Sequence, residues 1–214
     1  MVKIDRTPLP QSVSITKDED FRTSPVFPLL VKDFNNKCYL CEIPKESKWE
    51  VEHRQSKANF PARRHDWKNL FLSCSHCNGM KSKNYDDIID CTITDPESFI
   101  SFSTTNINTI NINAIGVVTP GIVKTVDLLN KVYNGIGRCI TDFGCANLRN
   151  KVFQELSDFH RLLINYNNEQ NIEVKQAYRR NIEAAIQRHS AFAAFKRLII
   201  RNDVSLVSIF GALL

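Results

Sequence analysis

Cys38-Tyr39-Leu40-Cys41, then Val51-Glu52-His53-Arg54-Gln55-Ser56-Lys57, then Trp67-Lys68-Asn69-Leu70-Phe71-Leu72-Ser73-Cys74-Ser75-His76-Cys77-Asn78 form the stretch whose reading decides the fold. Two Cys-x-x-Cys pairs face each other across an insert. Each pair can span one edge of a tetrahedron, so Cys38, Cys41, Cys74 and Cys77 are the ligand set of a structural Zn²⁺ with no open coordination position. The insert is roughly twice the length of the common zinc-ribbon spacing and has room for further chemistry.

A closed zinc cannot activate water, so any reaction needs a second centre, and the insert supplies its parts. The His53 imidazole titrates near neutrality and is the candidate general base. Glu52 and the Asn78 amide oxygen are hard oxygen donors suited to Mg²⁺ or Mn²⁺, an ion that can neutralise charge on a scissile phosphate. Asn69 is placed to orient the imidazole or its loop by hydrogen bonding. Arg54, Lys57, Arg63, Arg64, Lys81 and Lys83 cluster around these residues, where contacts to a nucleic-acid backbone would be needed.

The rest of the chain bounds the setting. At 214 residues it can bury a good-sized core, and its net charge of +5 favours a polyanion only mildly. No apolar run reaches bilayer length and no leader-like segment opens the chain, so the expectation is a cytoplasmic protein without a membrane partner. In that compartment the seven cysteines read as four metal thiolates plus free Cys91, Cys139 and Cys145 rather than as disulfides. Residues 1–34, with four prolines, read as an extended arm ending in a short helix, and 35–95 as the metal module. Residues 96–120 read as short strands, with apolar positions at 99, 100, 102, 107, 110, 112 and 115. Residues 121–214 read as helical, with Asn134-Gly135 ending the first helix and a second over about 146–165. A third helix is expected over about 172–201, with a cationic surface of Lys175, Arg179, Arg180, Arg188, Lys196, Arg197 and Arg201. The class is α+β.

The quoted run is similar to the HNH endonuclease signature. The resemblance implies a small ββα-metal module in which two strands and a helix surround one catalytic divalent ion, with the cysteine zinc separate. It puts His53 at the first position as general base, Asn69 at the middle, and Asn78 at the last as metal ligand beside Glu52. The chain departs from many members in lacking a proline shortly after the base. A looser similarity, in residues 1–10, 85–90 and 124–130, is to the Septu-type, retron-associated HNH endonucleases of bacterial anti-phage systems. It implies an ATPase partner, a reverse transcriptase with its small DNA in retron systems, and docking roles for the arm and the helices. The nucleic-acid substrate expected is DNA slightly ahead of RNA, for example a transfer RNA. The alternative is a non-catalytic zinc module that binds nucleic acid or a protein partner.

Overall fold

The fold, a computed structural model, describes residues 1–15, 20–44, 48–106, 109–135 and 139–214. Ile107, expected on a strand, and the Cys139 side chain, expected as a free thiol, lie outside the described set. The centre of the molecule is an antiparallel pair, β1 (Trp49–His53) and β2 (Leu70–Cys74), registered from Trp49 opposite Cys74 to His53 opposite Leu70. Helix α2 (Ser75–Lys81) follows β2 without a loop and packs back on both strands. Helix α1 (Val26–Asp33) packs against β2. Leu70, Phe71, Leu72 and Ser73 are all fully buried, so β2 shows no polar alternation. Phe34, Tyr39 and Phe71 stack edge to face beneath it, with ring centroids 5.0–6.4 Å apart.

A second antiparallel hairpin, β3 (Ile100–Asn106) and β4 (Thr109–Ala114), leans on α3 (Pro120–Asn134). Thr119 caps α3 through Ile122 N–H, and Gly135 ends it in the left-handed region at φ 72°, the terminator expected from Asn134-Gly135. Helices α4 (Cys139–Asn168), α5 (Ile172–Ala185), α6 (Ala193–Arg201) and α7 (Val204–Phe210) complete the chain. Their distal parts build a separate small core around Phe159, Leu163, Ile182, Ile186 and Phe210. The expected α+β class holds. Among the described residues, no helix is long and apolar enough to cross a membrane.

Two expectations for residues 172–201 change. The single helix over 172–201 is broken between Ala185 and Ala193. Tertiary demands override helix propensity there: Phe192 turns inward at φ 47° and is buried, and the buried Lys37 ammonium takes the carbonyls of Arg188 at 2.6 Å and Ser190 at 2.7 Å. The cationic surface is also partly internal, while Arg179 and Arg180 stay exposed. Arg197 and Lys196 are 2% and 1% exposed, Arg197 and Arg201 both reach Glu97, Lys196 reaches Glu155, and Arg188 reaches Asp95.

The first residues, read as an arm, lie on the chain itself. Met1, Val2 and Ile4 are buried. The Arg6 guanidinium stacks on Trp67 at 4.1 Å from the ring centroid and donates to Asp33 and to the carbonyls of Leu70 and Trp67. Removing that side chain strands the Asp33 carboxylate in the interior. Arg6→Ala is therefore expected to cost on the order of 3 kcal/mol in urea unfolding, and to speed proteolytic cleavage within residues 1–15.

Candidate active site

The site grows out of the cysteine knuckle. Between Cys38 and Ile43 the backbone folds tightly on itself, with Glu42 N–H to Cys38 O at 2.9 Å, Cys38 N–H to Ile43 O at 3.0 Å, and Glu42 at φ 60°. Cys74 is the N-cap of α2, and its sulfur accepts from Cys77 N–H at 3.4 Å. These two turns bring the four sulfurs within 4.8 Å of one another, all buried. Cys41 and Cys74 are 3.8 Å apart. A Zn–S bond of about 2.3 Å in a tetrahedron requires sulfur–sulfur edges of about 3.8 Å, whereas a disulfide needs about 2.05 Å. Four soft donors at this spacing fit Zn²⁺. His76, which lies between the last two cysteines, turns away and bonds the Val132 carbonyl at 2.8 Å.

Strand β1 carries the next two candidates on opposite faces, as successive strand residues must be. Glu52 points inward and is 5% exposed. Tyr39, from within the knuckle, donates to its Oε2 at 2.7 Å, and Lys81 from α2 reaches its Oε1 at 2.7 Å. Burial pushes the Glu52 carboxyl up to about 7, against the opposing pull of Lys81 and Tyr39. Lys81 is fully buried, and its ammonium also donates to the His53 carbonyl at 3.0 Å. The expectation that Lys81 touches a phosphate backbone does not fit this position: the ammonium ties α2 to the end of β1.

His53, on the other face, is half-buried. Its Nε2 lies 2.9 Å from the Arg64 carbonyl. A carbonyl only accepts, so Nε2 carries the proton and Nδ1 keeps its lone pair. Burial lowers the imidazole pKa below its ordinary value, and the charges of Lys57, Arg64 and Lys81 push the same way while the Arg64 carbonyl opposes them. The ring is a neutral base at pH 7.

Asn69 holds the loop that provides this carbonyl. Fully buried, its amide accepts from Gln55 N–H at 2.8 Å and donates to Gln55 O at 2.9 Å and Arg63 O at 3.1 Å. One side chain thus pins both ends of the turn between the two strands, next to Arg64. Asn78 sits on α2 one turn before Lys81, half-buried, and its side-chain amide makes no hydrogen bond among the described residues. Its oxygen is available to a hard cation. Glu52 already accepts from Tyr39 and Lys81 and faces away from His53 across β1, and with about four lone-pair sites its carboxylate keeps capacity for a further partner.

The other cationic candidates separate into two groups. Arg54 donates to the carbonyls of Asp86 and Ile88 and lies 3.2 Å from Asp90; Arg63 pairs with Asp66 at 2.7 Å and with Gln55. Both brace the loop. Lys57, Arg64 and Lys83 are exposed. Three contributors were missed in the sequence. Tyr39 links the knuckle to Glu52. Asp86 fastens the loop by accepting from Ser56 N–H and Oγ and from Asn59. Phe21 places its ring 5.7 Å from that of His53. Only Tyr39 carried a signal, its place inside the first Cys-x-x-Cys pair.

A family model described as HNH endonuclease matches residues 38–84, the segment just built from knuckle, strands and helix. Septu protein PtuB of Bacillus thuringiensis is 39% identical over 77 residues, covering 33% of this chain and 30% of that protein. The chain therefore spans less than a third of the length of the curated relative it matches. No solved structure matches it. The chain carries an HNH endonuclease domain, and over the stretch it shares with PtuB it resembles the Septu family.

Proposed function

We propose that the chain is a divalent-metal-dependent endonuclease that cleaves nucleic-acid phosphodiesters, DNA ahead of RNA, as the nuclease of a Septu-type bacterial anti-phage system under the control of a partner ATPase, with a reverse transcriptase and its small DNA where the system is a retron. The observation that carries the catalytic part is the state of His53: a neutral imidazole at a strand end, its Nε2–H committed to the Arg64 carbonyl and Nδ1 left to accept a proton. The similarity to PtuB supports the Septu part.

In this reading Nδ1 of His53 takes a proton from water as the water oxygen bonds to phosphorus and the bond from phosphorus to the leaving oxygen breaks. Glu52 and Asn78 would hold Mg²⁺ or Mn²⁺, which when bound neutralises charge on the phosphate and leaving oxygen. Asn69 keeps the loop, and with it the Arg64 carbonyl, in place. Lys57 and Arg64, exposed on the His53 side and near enough to depress its pKa, hold the backbone phosphates. Cys38, Cys41, Cys74 and Cys77 hold structural zinc.

Five measurements test this. His53→Ala should lower cleavage by about a hundredfold or more while zinc content and nucleic-acid binding persist; cleavage retained at the wild-type rate would favour a non-catalytic binding module. Because the folded His53 pKa lies below 6.5, the base loses its proton before neutrality: the rate should climb with pH and level off, with its acid-side inflection below 6.5. Lys57→Ala and Arg64→Ala should each weaken binding evenly across sequences and reduce the salt slope of log K by about 1. Metal analysis should find zinc bound to the purified chain. Cys77→Ala or a strong chelator should abolish the cooperative unfolding of the module, since such sites contribute roughly 10–16 kcal/mol.

A further inference from the structure

A single hydrogen bond does not fix an imidazole. His53 hangs from the end of β1 on two rotatable bonds, and among the described residues its one polar restraint is the bond from Nε2 to the carbonyl of the exposed Arg64. Turning the ring over puts Cδ2 where Nδ1 was and Cε1 where Nε2 was, which breaks the bond to the Arg64 carbonyl and carries the Nδ1 lone pair away from where it was. Something else must favour one orientation.

The only aromatic contact to the ring among the described residues comes from Phe21, whose ring meets it edge to face at 5.7 Å and 71° and lies 6.1 Å from the ring of His65. Phe21 is held on a built turn. Asp20 O accepts from Thr23 N–H at 3.0 Å, and the Asp20 carboxylate accepts from Arg22 N–H at 3.0 Å and from the Arg22 guanidinium. The turn leads straight into the buried Ser24, whose hydroxyl and carbonyl accept from Val26 and Phe27 N–H at the start of α1. Since α1 packs on β2 and β2 pairs with β1, Phe21 and His53 are connected through one packed frame.

We propose that Phe21 is a positioning residue for the general base: its ring holds the His53 imidazole in the orientation that keeps Nε2–H on the Arg64 carbonyl and leaves Nδ1 free to take the proton. This rests on the reading of His53 as the base. Phe21 itself touches neither substrate nor the reacting atoms. An edge-to-face aromatic contact biases a local equilibrium by roughly two- to tenfold, and that sets the size of the expected effects.

The test uses the full zinc-loaded chain labelled with ¹⁵N-histidine, at about pH 8, where imidazoles are neutral. Long-range ¹⁵N–¹H spectra report which nitrogen of each histidine carries the proton, and the His53 signals are identified by their loss in His53→Asn. Wild type should show the Nε2–H form of His53; Phe21→Ala and Phe21→Leu should show a mixture of both forms; Phe21→Trp should restore the single form. In cleavage assays with the partner components that activity requires, Phe21→Ala should lower kcat about two- to tenfold with KM unchanged, and Phe21→Trp should recover it. An unchanged His53 tautomer in both Phe21→Ala and Phe21→Leu would overturn the proposal. So would a raised KM at constant kcat, the mark of a substrate-stacking wall, or a rise in kcat, the mark of a lid. If the tautomer shifts as expected while His53→Ala cleaves at the wild-type rate, the bracing stands and the general-base assignment is what fails.

Discussion

The convergence of four sulfurs from two distant turns is the constraint on which the rest of the domain depends. Cys38 and Cys41 lie before β1, and Cys74 and Cys77 lie at the junction of β2 with α2. Their convergence therefore fixes where the chain enters the hairpin relative to where it leaves. A hairpin of two five-residue strands is marginal alone. Holding the four sulfurs together removes much of the conformational freedom that would oppose it. It also sets the direction of α2, because Cys74 is at once one of the four converging sulfurs and the N-cap of that helix.

From the knuckle a chain of buried polar contacts runs to the chemistry. Tyr39, flanked by Cys38 and Leu40, reaches Glu52; Glu52 meets Lys81; Lys81 returns to the carbonyl of His53. Each contact crosses between separate segments, so displacement of the knuckle, of β1 or of α2 leaves a charge unpaired in the interior. Such pairs add little to stability relative to apolar packing, but breaking one is expensive. The same logic holds around Glu97, which gathers Arg197 and Arg201 where the second, helical core meets the first.

How much of this could be read in advance depended on whether a residue's role is local. The cysteine spacing, the helix end at Asn134-Gly135, and the prominence of His53 and Asn69 follow from short motifs whose chemistry has few other uses. The state of a lysine or arginine does not. Lys81, Lys196 and Arg197 were read as surface cations because such residues usually are, and the partners that bury them, Glu52, Glu155 and Glu97, are far away in sequence. The break between α5 and α6 was hidden for the same reason: 172–201 has helical periodicity throughout, and what interrupts it is Lys37 drawing the carbonyls of Arg188 and Ser190. Phe21 carried no signal, since its significance comes only from the frame that sets it beside His53.

Asn69 shows why a residue type can be fixed in such a site without touching substrate. The turn between β1 and β2 is long and its sequence is mostly polar, so little apolar burial holds it. Its shape is set by hydrogen bonds to a few internal groups: Asp86 at its start and Asn69 at its base. Asn69 makes one acceptor bond and two donor bonds to backbone groups of Gln55 and Arg63. Aspartate would lose both donors and bury a charge; leucine would leave backbone groups unsatisfied at both ends of the turn. Only a short side-chain amide supplies both polarities at that depth. The Arg64 carbonyl that selects the tautomer of His53 is the next residue along, so the proton inventory of that ring is written, at one remove, by the amide of Asn69.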